Sequence, residues 1–192
     1  MSDERDELWR VAAGQRGYFT AAQAITVDYS HQAQYFHAQR GNWIRVGRAL
    51  YRLREFDDLP AEPGDHLVRW FLWSKERAVV SHATALSVHD LGIANPDRIH
   101  LTVPPGFRQK DAALILHRGE LESGQVQQHN GFLVTTPMRA VAETAAAGAD
   151  QDVIDSAVAE LLDRGLATRR QLLKEASELG PASELAVQRA FS

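Results

Sequence analysis

The 192-residue sequence contains no cysteine. Disulfides and thiolate metal sites are therefore excluded, and the composition suits a reducing compartment. Long apolar runs are missing as well, since none approaches the ~18 residues that a membrane-spanning helix needs. The opening MSDERDELW has no apolar core, so no secretory signal is expected and a cytoplasmic location is. There is no internal repeat and no low-complexity tract. An overall basic charge is also missing. With a net charge of −4 and a pI near 6.1, the chain as a whole does not announce a nucleic-acid binder, and only a local concentration of charge can do so. What is left is an ordinary globular composition, 44% hydrophobic and 24% charged, long enough for one medium domain or two small ones.

The local concentration is present at residues 28–54, DYSHQAQYFHAQRGNWIRVGRALYRLR. Here Arg40, Arg45, Arg48, Arg52 and Arg54 face a single acid, Asp28. The flanking signals are those of short helices and a hairpin. A first helix is predicted over about residues 3–15, with Leu8, Trp9, Val11 and Ala12 as its apolar stripe and Gly17 as its stop. Thr20 and Gln23 form a capping box that opens a short second helix. Asp28 or Ser30 caps a third helix that ends at Gly41. Residues 43–46 and 50–53 read as strands joined through Gly47 and Arg48. Three helices followed by a basic hairpin is the order of a winged helix-turn-helix, predicted for residues 1–58.

A segment with Pro60, Pro63, Gly64 and three acids marks the boundary. Beyond it, residues 65–192 are predicted as a mixed α/β domain, making the chain α/β (α+β) as a whole. Helices are expected over 65–74, from Ser81 as N-cap through 91, from Thr136-Pro137 through 147, over 150–164, from the Thr168–Gln171 capping box to 179, and after Gly180-Pro181. Residues 78–80 form a short apolar run. Strands are expected over 99–103, 114–117 and 132–135.

A helix in a major groove reads base edges with polar side chains near its N-terminal end. Ser30, His31, Gln32, Gln34 and Tyr35 suit that role, with Phe36 expected to be buried and Tyr35 at the edge. Arg40, Arg45, Arg48 and Arg52 suit a phosphate clamp, which fixes register and adds salt-dependent affinity. The partner so implied is double-stranded DNA. A small α+β scaffold with a solvated face, or a winged helix that binds protein, fits the same pattern.

Catalytic signatures are missing. There is no Gly-x-Ser-x-Gly, P-loop or dinucleotide fingerprint. The eight histidines show no metal-ligand spacing; His82 and His89 are seven apart, and His31 and His37 are six apart. Asp90, Asp97, Glu120, Glu122 and Glu143 form no recognisable pair and read as solvated charge. Ser81 and His82 read as a helix start, where neighbouring side chains diverge, so they are not expected to meet as nucleophile and base. No cofactor, no metal and no enzymatic activity are expected.

Two sets of motifs carry a family resemblance. The stretch GYFTAAQAI, with YSHQAQYFHAQRGNWIRVGRALYRL, resembles the N-terminal winged helix of the AbiEi-type antitoxins. VSHATALSVHDLGIANPDRIHLTVPPGFRQK, LILHRGEL and FLVTTPMRAVAETA resemble the companion domain, so the likeness spans about residues 5–175. Two departures stand out. Ala49 replaces the family's glycine in the hairpin, where alanine disfavours a left-handed backbone. Arg139-Ala140 and Glu143 replace Arg-Thr and Asp, which argues against a strict catalytic role. The resemblance implies an antitoxin that binds an inverted-repeat operator, represses its own operon and counteracts a nucleotidyltransferase-like toxin, directly or indirectly. The alternatives are a metal-dependent nuclease with a DNA-targeting domain and a stand-alone transcriptional regulator.

Overall fold

Helix α1 (Ser2–Ala13) buries Leu8 and Ala12, while Trp9 stays 45% exposed, its ring 5.8 Å from Phe56. Trp9 therefore lies off the buried stripe predicted for it. The chain then forms β1 (Tyr18–Thr20), α2 (Ala21–Thr26), α3 (His31–Gln39), β2 (Trp43–Gly47), β3 (Leu50–Leu53), α4 (Arg54–Asp57) and α5 (Asp65–Trp73). The capping box before α2 is formed, with the Gln23 N–H donating to Thr20 Oγ1 at 3.1 Å and the Thr20 N–H donating to Gln23 Oε1 at 2.8 Å. The turn into α3 passes through Asp28 in the left-handed region (φ 66°), and Ser30 caps α3 by accepting from the Ala33 N–H at 3.1 Å.

These elements come from a computed structural model that describes residues 2–60 and 62–192. Two units result, one running to Glu76 with His129–Phe132, the other covering Arg77–Gln128 and Leu133–Ser192. The expected boundary near residues 58–65 thus falls inside the first unit. The reason is α5, whose buried Leu67, Val68, Trp70 and Leu72 form an apolar face, and which packs on β1 and β3.

In the first unit β1, β3 and β2 form an antiparallel sheet in that order. Its core is Leu8, Ala12, Phe19, Ala24, Val27, Trp43 and Leu53. Phe19 meets Trp43 edge-on at 4.8 Å, a preferred aromatic geometry. The turn between β2 and β3 holds Ala49 at φ 55°. Alanine thus adopts the left-handed backbone that its side chain disfavours, because the register Gly47↔Leu50 leaves room for only two turn residues.

The second sheet runs β6-β5-β4-β8-β7, built from β4 (Val79–Val80), β5 (Ile99–Val103), β6 (Leu114–Arg118), β7 (Val126–His129) and β8 (Phe132–Thr135). It is mixed: β5 is antiparallel to β4 and parallel to β6, and β4 is parallel to β8. Helix α6 (His82–Val88) follows β4. Helices α7 (Pro137–Ala146), α8 (Gln151–Asp163), α9 (Arg169–Glu178) and α10 (Pro181–Arg189) complete the chain, with α7 packed against all four of the others. Residues Ala140–Ala145 of α7 are buried without interruption. The small side chains of its VAETAA run let neighbouring helices approach on every side. The chain is mixed α/β throughout, and no helix of the described residues is long and apolar enough to cross a membrane.

Candidate functional site

In the first unit, α3 presents one continuous exposed face. His31, Gln32, Tyr35, Phe36, Gln39 and Arg40 are exposed, the pattern of adjacent rows on a helix. Ser30 sits at its start, exposed, with its oxygen engaged as the cap. Three expectations are corrected here. Gln34 is only 3% exposed, and its amide donates to the carbonyls of Ala21 and Tyr29, both at 3.2 Å. It fastens α3 to the start of α2 and has no free end for a base. Phe36, expected in the core, is 47% exposed and lies under the Arg40 guanidinium at 4.3 Å. Trp43 occupies the core position instead, with Tyr29 and His37 packed on it.

The third correction concerns the arginines. Arg52 is turned inward: it bonds Asp57 at 3.1 Å, the Phe56 carbonyl at 2.9 Å and the Arg16 carbonyl at 3.4 Å. Arg54 also pairs with Asp57, at 3.6 Å. Arg40, Arg45 and Arg48 remain exposed, with no ion pair among the described residues. The charge anomaly of the sequence is thereby reduced to three available cations, one at the end of α3 and two on the hairpin. Gln39, which sequence reasoning passed over, lies on the same face as Gln32 and Tyr35. Its signal in the sequence is the i, i+4 spacing from Tyr35.

The second unit brings together a polar cluster that no local spacing announced. His100 and Thr102 are two apart on β5, and His117 on β6 is level with Thr102, so all three share one face of the sheet. His82 reaches the same place from the start of α6. His100 Nδ1 lies 3.1 Å from His117 Nε2, and the His82 ring stacks on His117 with centroids 3.4 Å apart. Among the described residues these three histidines are the group able to offer ligand atoms to one ion, all within 4.8 Å of one another.

The backbone at the β4–α6 junction explains how His82 gets there. Its φ is 54°, left-handed for a non-glycine residue. That turn carries the ring back onto its neighbour, with Nδ1 2.9 Å from Ser81 Oγ. The expected divergence of the Ser81 and His82 side chains is thus overturned. Ser81 is completely buried and makes no side-chain cap; its oxygen accepts from Thr102 Oγ1 at 2.8 Å.

Glu143, read from sequence as solvated, is 4% exposed. Its carboxylate accepts from Arg139 Nε at 2.9 Å and from the His82 backbone N–H at 3.4 Å, and Arg139 Nη1 also donates to Glu175 at 3.0 Å. Burial pushes the Glu143 carboxyl above the usual range, against the pull of Arg139. Burial likewise lowers the imidazoles, His82 to about 3 and His117 to about 4, and the neighbouring rings add to the effect. His82, His117, Thr102, Arg139 and Glu143 line a cavity of about 170 Å³.

Fold and sites together define a mixed α/β chain with an exposed polar helix face in one unit and a buried histidine cluster in the other. No protein-family model matches the chain, and no curated protein matches it. Among solved structures it is similar to the RV2827C protein from Mycobacterium tuberculosis. That likeness has a TM-score of 0.55, covers 94% of this chain and 79% of that one, and has 13% sequence identity. At this identity the likeness is one of fold.

Proposed function

We propose that the first unit is a winged helix-turn-helix that reads duplex DNA, and that the protein is a non-enzymatic autorepressor and antitoxin of the AbiEi type. The observation that carries the DNA reading is the α3 face. His31, Gln32, Tyr35 and Gln39 offer donors, acceptors and a ring for base edges, and Arg40 closes the face. Arg45 and Arg48, exposed on the hairpin beside it, supply phosphate contacts. The antitoxin role is supported by the VSHATAL and TTPMR resemblance, and its partner is a nucleotidyltransferase-like toxin.

The test is retardation of a duplex carrying the DNA upstream of the gene. Arg45→Ala with Arg48→Ala is expected to weaken binding on all sequences and to flatten the salt dependence by roughly two counterions. Unchanged retardation and slope in that variant remove the wing assignment. The adjacent open reading frame tests the second half: a nucleotidyltransferase-like product whose growth arrest this chain relieves on co-expression is expected, and an unrelated neighbour or an unrelieved arrest removes the antitoxin reading.

A further inference from the structure

We infer that His82, His100 and His117 form a binding site for a borderline divalent transition-metal ion of the zinc type, with a coordination position facing the cavity beside them. Imidazole nitrogens suit zinc, copper, iron and nickel, whereas magnesium and calcium require oxygen donors. The three ligand atoms already lie within 4.8 Å of one another. A tetrahedral ion with metal–nitrogen distances near 2.0–2.1 Å needs them roughly 3.4 Å apart, which requires the His82 ring to turn out of its stack on His117.

The surroundings are those of ligand orientation. A metal-bound histidine usually has its second ring nitrogen held by an oxygen. His82 Nδ1 is held by Ser81 Oγ at 2.9 Å, with Glu143 Oε2 at 3.7 Å, which leaves Nε2 as its ligand atom. Ser81 is fixed in turn by Thr102. The backbone of His100 is secured on both sides, its N–H donating to Thr84 Oγ1 at 2.9 Å and its carbonyl accepting from Ser81 N–H at 3.1 Å. The left-handed backbone of His82 is a further mark, because such a conformation in a buried non-glycine residue persists only where the surroundings over-determine it. Glu143 and Glu175 are committed to Arg139, so the ligand set is three imidazoles, and His82 and His117 line the cavity into which a fourth ligand would come. Three histidines with an open fourth position is the arrangement of a reactive or exchangeable site, whereas purely structural zinc sites are closed by four protein ligands.

The experiment is titration of the untagged, metal-free full chain with Co²⁺ and then Zn²⁺. One equivalent of cobalt is expected to give the intense visible absorption of a low-coordinate nitrogen site, which zinc bleaches, and zinc is expected to raise the melting temperature. His100→Ala with His117→Ala should weaken cobalt binding more than about 100-fold, while His31→Ala with His37→Ala leaves it unchanged. His117→Gln, which keeps the bulk of the side chain, serves if the double alanine variant does not fold, and the same loss is expected. Cobalt that shows only the weak spectrum of a hydrated ion, or that binds the cluster variants as tightly as the parent chain, overturns the assignment.

Discussion

The two candidate sites are built in opposite ways. The α3 face lies within ten consecutive residues, is exposed, and owes its geometry to one capped helix. The histidine cluster draws on positions 82, 100 and 117, is largely buried, and owes its geometry to a sheet register and a left-handed turn. Changes on the first should alter recognition and leave stability nearly untouched. Changes in the second should do the reverse, because its polar groups depend on one another in a medium that solvates them poorly.

The sharpest break of this contrast is Arg139→Ala. It leaves Glu143 and Glu175 without their shared cation, and Glu143 is buried. Removing one partner of a buried ion pair costs about 3–5 kcal/mol, read as a lower midpoint in urea denaturation. A midpoint within error of the parent chain would show that the network does not hold the second unit together.

Acidification comes next. His82 takes its proton near 3 in the folded chain, against an ordinary value of 6.5. Between those values the unfolded chain carries the extra proton, so stability falls as pH drops from about 6.5 toward about 3. The slope is about 1.4 kcal/mol per pH unit for this residue once its unfolded form is fully protonated. His117 and His100, lowered by burial, act in the same direction. Glu143 acts in the other, since a raised carboxyl is protonated first in the folded chain. Thermal melts of metal-free protein across this range check the sign, and a melting temperature that rises on acidification contradicts it.

Gln34→Ala is expected to cost about 1–3 kcal/mol, because it removes the two hydrogen bonds by which this buried side chain fastens α3 to α2 and the turn after it. Sequence preference for DNA should be unchanged. Gln32→Ala, on the exposed face, should shift stability by less than about 0.5 kcal/mol and change base preference at one position. Binding-site selection on both variants separates the two glutamines, and interchanged effects would mean that α3 is rotated about its axis relative to the face described.

How far the sequence could lead follows from these same residues. Thr20, Gln23, Ser30, Thr168 and Gln171 act on neighbours three residues away, so their caps were readable from spacing and are formed. The mixed α/β class was readable from periodicity, but β1, α4 and β7, each of three or four residues, are too short to show a pattern and were not predicted. Gln34 and Phe36 were misassigned because α3 has no clean apolar stripe, and the core position beside it is filled by Trp43 from the next strand. Arg52 looked like its neighbours in charge, but Asp57, outside the basic stretch, claims it. The histidine cluster was hidden for a different reason. Nothing in the spacing of 82, 100 and 117 reveals that β5 and β6 run parallel in register, or that His82 turns back on Ser81.

Ala49 and His82 narrow the contrast to one backbone angle. Both are non-glycine residues in the left-handed region, with φ of 55° and 54°. Ala49 is exposed at the hairpin turn, where its carbonyl accepts from the Ala21 N–H at 2.9 Å. Ala49→Gly removes the Cβ that opposes this conformation and adds freedom to the unfolded chain. The net gain should be about 0.5–1 kcal/mol, seen as a small rise in the denaturation midpoint with DNA retardation unchanged. At His82 the same relief is outweighed, because the ring stacks on His117 and the backbone N–H donates to Glu143. His82→Gly should therefore lose stability where Ala49→Gly gains it. A gain at both positions would mean that the left-handed turn at His82 is incidental, and that the cluster is not what holds it.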